Sequence, residues 1–224
     1  MGAHTKIIDL FGTPACGKST LAIYIKENSE IKVGIKKDIV KESKQIFCYK
    51  YLLSFRLKEI LSCAKYHFAI PKHKRRKGSP LYNFILNYNY YNFISNYSNY
   101  DAVVIDNSLV QSIISHQNAA DLLGNPNFKE RVKEILSSPE NTIYVWCDIM
   151  PEVSLERMEY RGRYKGRIDL QTDRDNKLKA LNEEREQCRQ YYNLLKQIGA
   201  KVVVLDCNKS TNEIAEEFFR KIKL

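Results

Sequence analysis

Apolar positions along this chain fall into two kinds of run, and the two kinds alternate. Lys6-Ile-Ile-Asp-Leu-Phe11 is short and β-rich, and it stops at Gly12 and Pro14. Ala102-Val-Val-Ile-Asp106, Thr142-Ile-Tyr-Val-Trp-Cys-Asp148 and Lys201-Val-Val-Val-Leu-Asp206 repeat the design, each ending on an aspartate. A further short strand is expected at residues 31–35. Strands apolar on both faces belong in a parallel sheet sandwiched by helices. The intervening segments supply those helices. Ser19-Thr-Leu-Ala-Ile-Tyr-Ile-Lys26 has helical apolar spacing, and residues 41–66 set Ile46, Tyr49, Leu53, Leu57, Ile60 and Ala64 on one stripe. Residues 81–100 are rich in Tyr and Asn. There Phe84, Ile85, Tyr88, Tyr91 and Phe93 suit a helix that buries one face, with low-complexity disorder as the competing reading. No internal repeat or linker interrupts the pattern, so the expectation is one α/β domain over residues 1–224 with a mostly parallel sheet.

The turn after the first strand carries the most specific chemistry. Gly12-Thr13-Pro14-Ala15-Cys16-Gly17-Lys18-Ser19 fits the phosphate-loop pattern G-x-x-x-x-G-K-[ST] without a mismatch, between a strand and a helix as that loop requires. Average composition produces such a match in about one chain of this length in a hundred, and the strand and helix flanks lower that chance further. Its glycines permit a tight turn whose N–H groups point at phosphate oxygens, and the following helix adds its positive dipole end. Lys18 is expected to reach the β- and γ-phosphates of ATP, Ser19 to place its hydroxyl on Mg²⁺, and Thr20 to cap or support the helix start.

Strand-end carboxylates come next. Asp106 stands where such folds keep an acidic group that holds Mg²⁺ or takes a proton from the acceptor, with a helix cap for the segment from Leu109 as the plainer alternative. Asp148 precedes Met150-Pro151-Glu152 and reads as a cap. Asp9, inside the first strand, is near enough to touch an acceptor or is a satisfied structural group. Gln111 is the polar residue beyond Asp106 best placed to face an acceptor, although a purely structural role is equally open to it. Arg157 and Arg161 lie four apart on one helical face and run into a glycine-interrupted basic loop with Arg163 and Arg167. Mobile cations of this kind suit the charge that spreads on a transferring phosphoryl group, so residues 157–172 read as a lid.

These residues together resemble the nucleoside and nucleotide kinase group of P-loop proteins, in particular its thymidylate-kinase-like branch. The resemblance spans nearly the whole chain. It rests on the loop from Phe11 through Thr20, on Val103-Val-Ile-Asp-Asn107 followed by Gln111, on Leu155-Glu-Arg157 with Arg161, and on Leu205-Asp-Cys-Asn208. It implies a three-layer P-loop fold with a lid and a helical acceptor-side segment at residues 41–100. It also implies that Asn208 and its neighbours lie against the adenine, and that the acceptor pocket is built from segments after the second and third strands. Asp106-Asn107 replaces the Asp-Arg usual in thymidylate kinases, so the acceptor stays open among a nucleotide, a nucleoside, a sugar or another small hydroxyl compound. A nucleotide-dependent switch acting on a protein or nucleic acid is the reading from another class.

Composition narrows the setting. Apolar residues make up 44% and charged residues 28%, the balance of a folded protein. No apolar run reaches the roughly 18 residues of a membrane span, and the residues before the first strand lack an apolar stretch, so a cytoplasmic location is expected. The six cysteines are scattered and read as reduced thiols. A net charge of +10 suits anionic ligands. The basic run at residues 72–77 has no interleaved aromatic residues, which makes nucleic acid an improbable partner beside a small-molecule acceptor. Both a monomer and a homodimer are compatible with the sequence.

Overall fold

The computed structural model describes residues 5–39, 61, 64–68, 70, 91, 94, 99–106, 109–116, 123–137, 141–162, 168 and 173–224. The stripe at residues 41–66 lies largely outside them, as do the basic run at 72–77, Arg163 and Arg167. Five strands form one sheet: β1 (Lys6–Phe11), β2 (Val33–Ile35), β3 (Ala102–Ile105), β4 (Thr142–Asp148) and β5 (Lys201–Asp206). Among the described residues, helices α1 (Lys18–Asn28), α2 (Leu109–His116), α3 (Pro126–Ser137), α4 (Pro151–Arg161), α5 (Arg174–Gln197) and α6 (Thr211–Lys221) pack on its two faces. The second strand is shorter than the 31–35 expected; Tyr91 is helical and buried, as is Ile94, while Phe84, Ile85, Tyr88 and Phe93 of the expected one-sided helix lie outside the described residues.

All strand pairs are parallel, in the order β2-β3-β1-β4-β5. Period-two alternation divides each strand between two cores. Ile7 and Phe11, Val103 and Ile105, and Tyr144 and Trp146 face a layer built from α2, α3 and α5. Ile8 and Leu10, Ala102 and Val104, and Ile143 and Val145 face α1 and α6. Both faces are covered, which explains why the strands are apolar throughout, and each such side chain is worth about 1.5–3 kcal/mol on burial. The result is a three-layer α/β fold.

Parallel strands place all their C-terminal ends on one edge. The chain leaves β1 for the outer strand β2, returns to β3 beside β1, and then crosses to β4 on the other side. The direction of winding therefore reverses at β1, and the crevice beyond that strand's end is where such sheets bind ligands.

Candidate functional site

Gly12 begins the loop after β1 because no side chain fits there. A Cβ on it would lie 2.4 Å from the Cys147 carbonyl oxygen of β4. Ala15 (φ 57°) and Gly17 (φ 93°) are both left-handed, and this curl is of the kind that turns successive N–H groups into one concavity. Gly17 is the N-cap of α1 and Thr20 is exposed within the helix, so the expected capping by Thr20 is not made. Lys18, the first residue of α1, folds back over the loop. Its Nζ donates to Gly12 O at 2.7 Å and Thr13 O at 3.0 Å, and lies 3.2 Å from Cys16 Sγ. A hydrogen bond with Cys147, together with burial, pushes the Cys16 thiol well above its ordinary range, so a protonated sulfur sits beside the ammonium.

Neighbouring elements brace this loop. The Gly12 N–H donates to Gln111 Oε1 at 3.2 Å, and Ser154 Oγ of α4 donates to Pro14 O at 2.6 Å. Ala15 packs against a small cluster of Leu155 and Met158 from α4, Ile168, and Ala180 and Leu181 from α5. Thr13 Oγ1 is buried with no hydrogen-bond partner among the described residues.

Asp106, just past β3, accepts a hydrogen bond from Ser19 Oγ at 2.5 Å. The cap that Asp106 might have supplied to α2 is made by other groups. The first N–H of that helix, on Leu109, donates to Asp9 Oδ2 at 3.2 Å and to Tyr91 Oη at 2.8 Å, and the Tyr91 hydroxyl donates to Asp9. Asp9 is buried outright and serves here as an internal anchor, the structural alternative of the two that its place in the first strand leaves open. Burial and the neighbouring carboxylate push the Tyr91 hydroxyl well above its usual range, which keeps it a donor. Gln111 is likewise engaged by protein at both ends of its amide, through Gly12 and through Glu184 Oε1 at 3.2 Å, rather than turned to an acceptor.

Lys36, which sequence reasoning missed, follows β2 on the same edge. Asp38 fixes the turn there by accepting from Ile35 N at 3.0 Å and pairing with Lys26 Nζ at 2.7 Å. Burial holds the Lys36 ammonium below its ordinary range, against the opposing pull of Asp106. Its signal was available: it is the first residue beyond a strand, the position that singled out Asp106.

On the other flank of the loop, Asp148 does not cap α4. The N-cap is Met150, without a side-chain bond, while the Asp148 carboxylate takes Arg185 of α5 in a two-point ion pair at 2.7 and 3.0 Å. Nothing in the sequence links Arg185 to Asp148 across 37 positions. Asn208 ties the ends of β4 and β5 together, accepting from Met150 N at 2.8 Å and donating to Asp206 Oδ1 at 2.7 Å. Arg157 donates to Lys209 O at 3.1 Å and so lies against the loop after β5. Arg161 is exposed at the end of α4, where Gly162 (φ 60°) stops the helix.

The structure thus brings Lys18, Ser19 and Asp106 together and sets Arg157 and Asn208 to one side. Among the described residues no group of three or more His, Cys, Asp or Glu could hold a metal by itself. One hydroxyl and one carboxylate in contact do match the donor set of Mg²⁺, which binds protein through one or two oxygens and takes the rest from phosphates and water.

No protein-family model matches the chain, and no curated protein matches it. Among solved structures it is similar to deoxyadenosine kinase from M. mycoides with the products dCMP and dCDP bound. That pair has 13% identity and a TM-score of 0.54, covering 96% of this chain and 97% of the other. With dATP bound, the same kinase gives 13% identity and a TM-score of 0.51 over 97% and 98% of the two chains. The YorR protein from Bacillus subtilis, in complex with phosphorylated GDP, gives 15% identity and a TM-score of 0.51 over 96% and 94%. Coverage of both chains is nearly complete, so the likeness extends over the whole three-layer α/β fold.

Proposed function

We propose that this chain is an ATP-dependent kinase that transfers the γ-phosphate to a nucleoside, a nucleotide or a similar small acceptor. The observation that carries the reading is the contact between Ser19 and Asp106 directly beyond a loop that already holds the Lys18 ammonium. A phosphate cradle, a cation and a carboxylate then converge at the winding reversal of the sheet. All three of the similar structures described above hold nucleotides, which favours a nucleoside or nucleotide acceptor over a sugar.

In this reading the loop N–H groups bind the triphosphate, and Lys18 leaves its carbonyl partners to lie along the β- and γ-phosphates. Ser19 and Asp106 would hold Mg²⁺, which would neutralise phosphate charge when bound. Asp106 also orients the acceptor hydroxyl or receives its proton as the acceptor oxygen bonds to phosphorus and ADP departs. Arg157, Arg161, Arg163 and Arg167 form the lid over the developing charge, and Asn208 belongs to the adenine side. Residues 41–100 supply the acceptor side of one continuous domain. Catalysis of this type is mostly placement and electrostatics.

Two measurements test the proposal. Lys18→Ala should abolish turnover while the melting profile stays close to wild type, and unchanged ATP consumption in that variant would sink it. A panel of deoxynucleosides, nucleoside monophosphates and sugars, scored by ATP-dependent mass gain, should yield an acceptor without which ATP hydrolysis is negligible. Hydrolysis stimulated instead by nucleic acid, with strong salt dependence, would favour a nucleotide-driven switch.

A further inference from the structure

The side-chain amide of Gln111 stands where three elements meet. Gly12 opens the phosphate loop, Gln111 belongs to α2, the helix after Asp106, and Glu184 belongs to α5, the helix that follows the lid segment. The amide oxygen accepts from Gly12 N–H and the amide nitrogen donates to Glu184, each at 3.2 Å. Only one orientation of the amide serves both partners. A backbone N–H only donates and an ionised carboxylate only accepts, so a flipped amide would set N–H against N–H and oxygen against oxygen.

The loop end it holds has little freedom elsewhere. Gly12 sits against the Cys147 carbonyl of β4, Pro14 is tied to α4 through Ser154, and Ala15 packs with residues of α4 and α5. Gln111 adds the link from this loop to the helix that follows Asp106, the partner of Ser19. Both halves of the site are thereby referred to one side chain, and that side chain is oriented by a carboxylate on α5.

We propose that Gln111 is a positioning residue for phosphoryl transfer, oriented by Glu184, which fixes the mouth of the phosphate loop relative to the helix after Asp106. This rests on the kinase reading for its role in turnover, but its effect on nucleotide binding can be measured without an acceptor.

The chemistry suggests a swap. Gln111→Glu keeps an oxygen for Gly12 N–H but presents a carboxylate to the Glu184 carboxylate. Adding Glu184→Gln restores complementarity with donor and acceptor exchanged. On the full chain, calorimetric titration with Mg·ATP should show binding weakened about tenfold in Gln111→Glu and recovered to within about twofold of wild type in the double variant. With the best acceptor of the panel, kcat should follow the same order. Gln111→Ala, which removes the bonds to Gly12 and Glu184 and adds no charge, should fall between wild type and Gln111→Glu, and it serves if Gln111→Glu does not fold. Wild-type Mg·ATP affinity in the single variants, with only the melting temperature lowered, would overturn the proposal, as would a double variant no better than Gln111→Glu. Lys18→Ala, run in parallel, separates the two readings. If it loses turnover while the Gln111 variants behave as wild type, the positioning role alone fails. If it keeps turnover, the kinase reading fails, and the Gln111–Glu184 coupling is decided by the binding data.

Discussion

Gly12 and Gly17 exclude a side chain for different reasons, and the difference is measurable. At Gly12 a steric obstacle is added to a positive φ of 152°: a Cβ would stand 2.4 Å from a carbonyl oxygen of β4, a backbone atom inside the sheet that has no rotamer to adopt. At Gly17 the space is open, and the obstacle is the left-handed backbone alone, with φ at 93°. Gly17→Ala is therefore expected to lose about 1–2 kcal/mol, the ordinary cost of that conformation for an L-residue. Gly12→Ala has to displace the loop from β4 and should lose about 2–3 kcal/mol, together with Mg·ATP binding. Denaturant unfolding of the two variants tests the order, and a Gly17→Ala that is the less stable would contradict it. The same pair shows the reach of sequence reading at this scale. Both glycines were legible as loop glycines from their spacing, but the contact of Gly12 with β4 joins residues 135 positions apart and leaves no local trace.

Among the elements, α6 shows how one buried carboxylate ties a helix down. Glu217 faces inward, paired with Lys221 at 2.5 Å one turn on and with Lys209 at 3.2 Å from the loop after β5. Burial alone would raise its pKa, but Lys221 and Lys209 together hold it below its ordinary value of 4.5. A lowered carboxylate contributes stability that is present above 4.5 and is lost as pH falls through the folded value. Glu217→Gln should thus cost about 1–2 kcal/mol at neutral pH, and the difference from wild type should shrink on acidification below 4.5. A constant difference across that range would remove the ion pairs as its cause. Elements of the sheet were the most legible part of the fold, since runs apolar on both faces admit few other homes. Strand ends were half legible. Asp106 is legible from its place past β3, while Asp148 reads from sequence as a cap because Pro151 follows it. A proline at the first helical position needs no donor satisfied, and the preceding Met150 N–H goes to Asn208, so the carboxylate is left for Arg185. That arginine lies in a 24-residue helix crowded with charge, where periodicity marks the buried face but cannot single out one ion pair.

Across the whole molecule the C-terminal edge of the sheet reads in order as Lys36, Asp106, the phosphate loop, Asp148 with Arg185, and Asp206 with Asn208. The loop is in the middle, so on the proposed kinase reading a donor nucleotide extending toward β4 and β5 would leave the β3 and β2 flank to the acceptor and to the phosphoryl group passing to it. That division assigns separate kinetic signatures to the two flanks. Asn208→Ala should raise the KM for ATP more than that for the acceptor, and Lys36→Ala should do the reverse. Lys36 offers a second and sharper measure, because its burial lowers its pKa from the ordinary 10.5. Its positive charge is present at low pH and disappears as pH rises through that lowered value, so acceptor kcat/KM at saturating ATP should decline on the alkaline side earlier than an exposed lysine would allow. Lys36→Arg keeps the charge at any pH the protein tolerates and should push that decline out of range. If wild type and Lys36→Arg give superimposable pH profiles, Lys36 takes no part in the acceptor flank, and the two-sided division of the edge has to be redrawn around Asp106 alone.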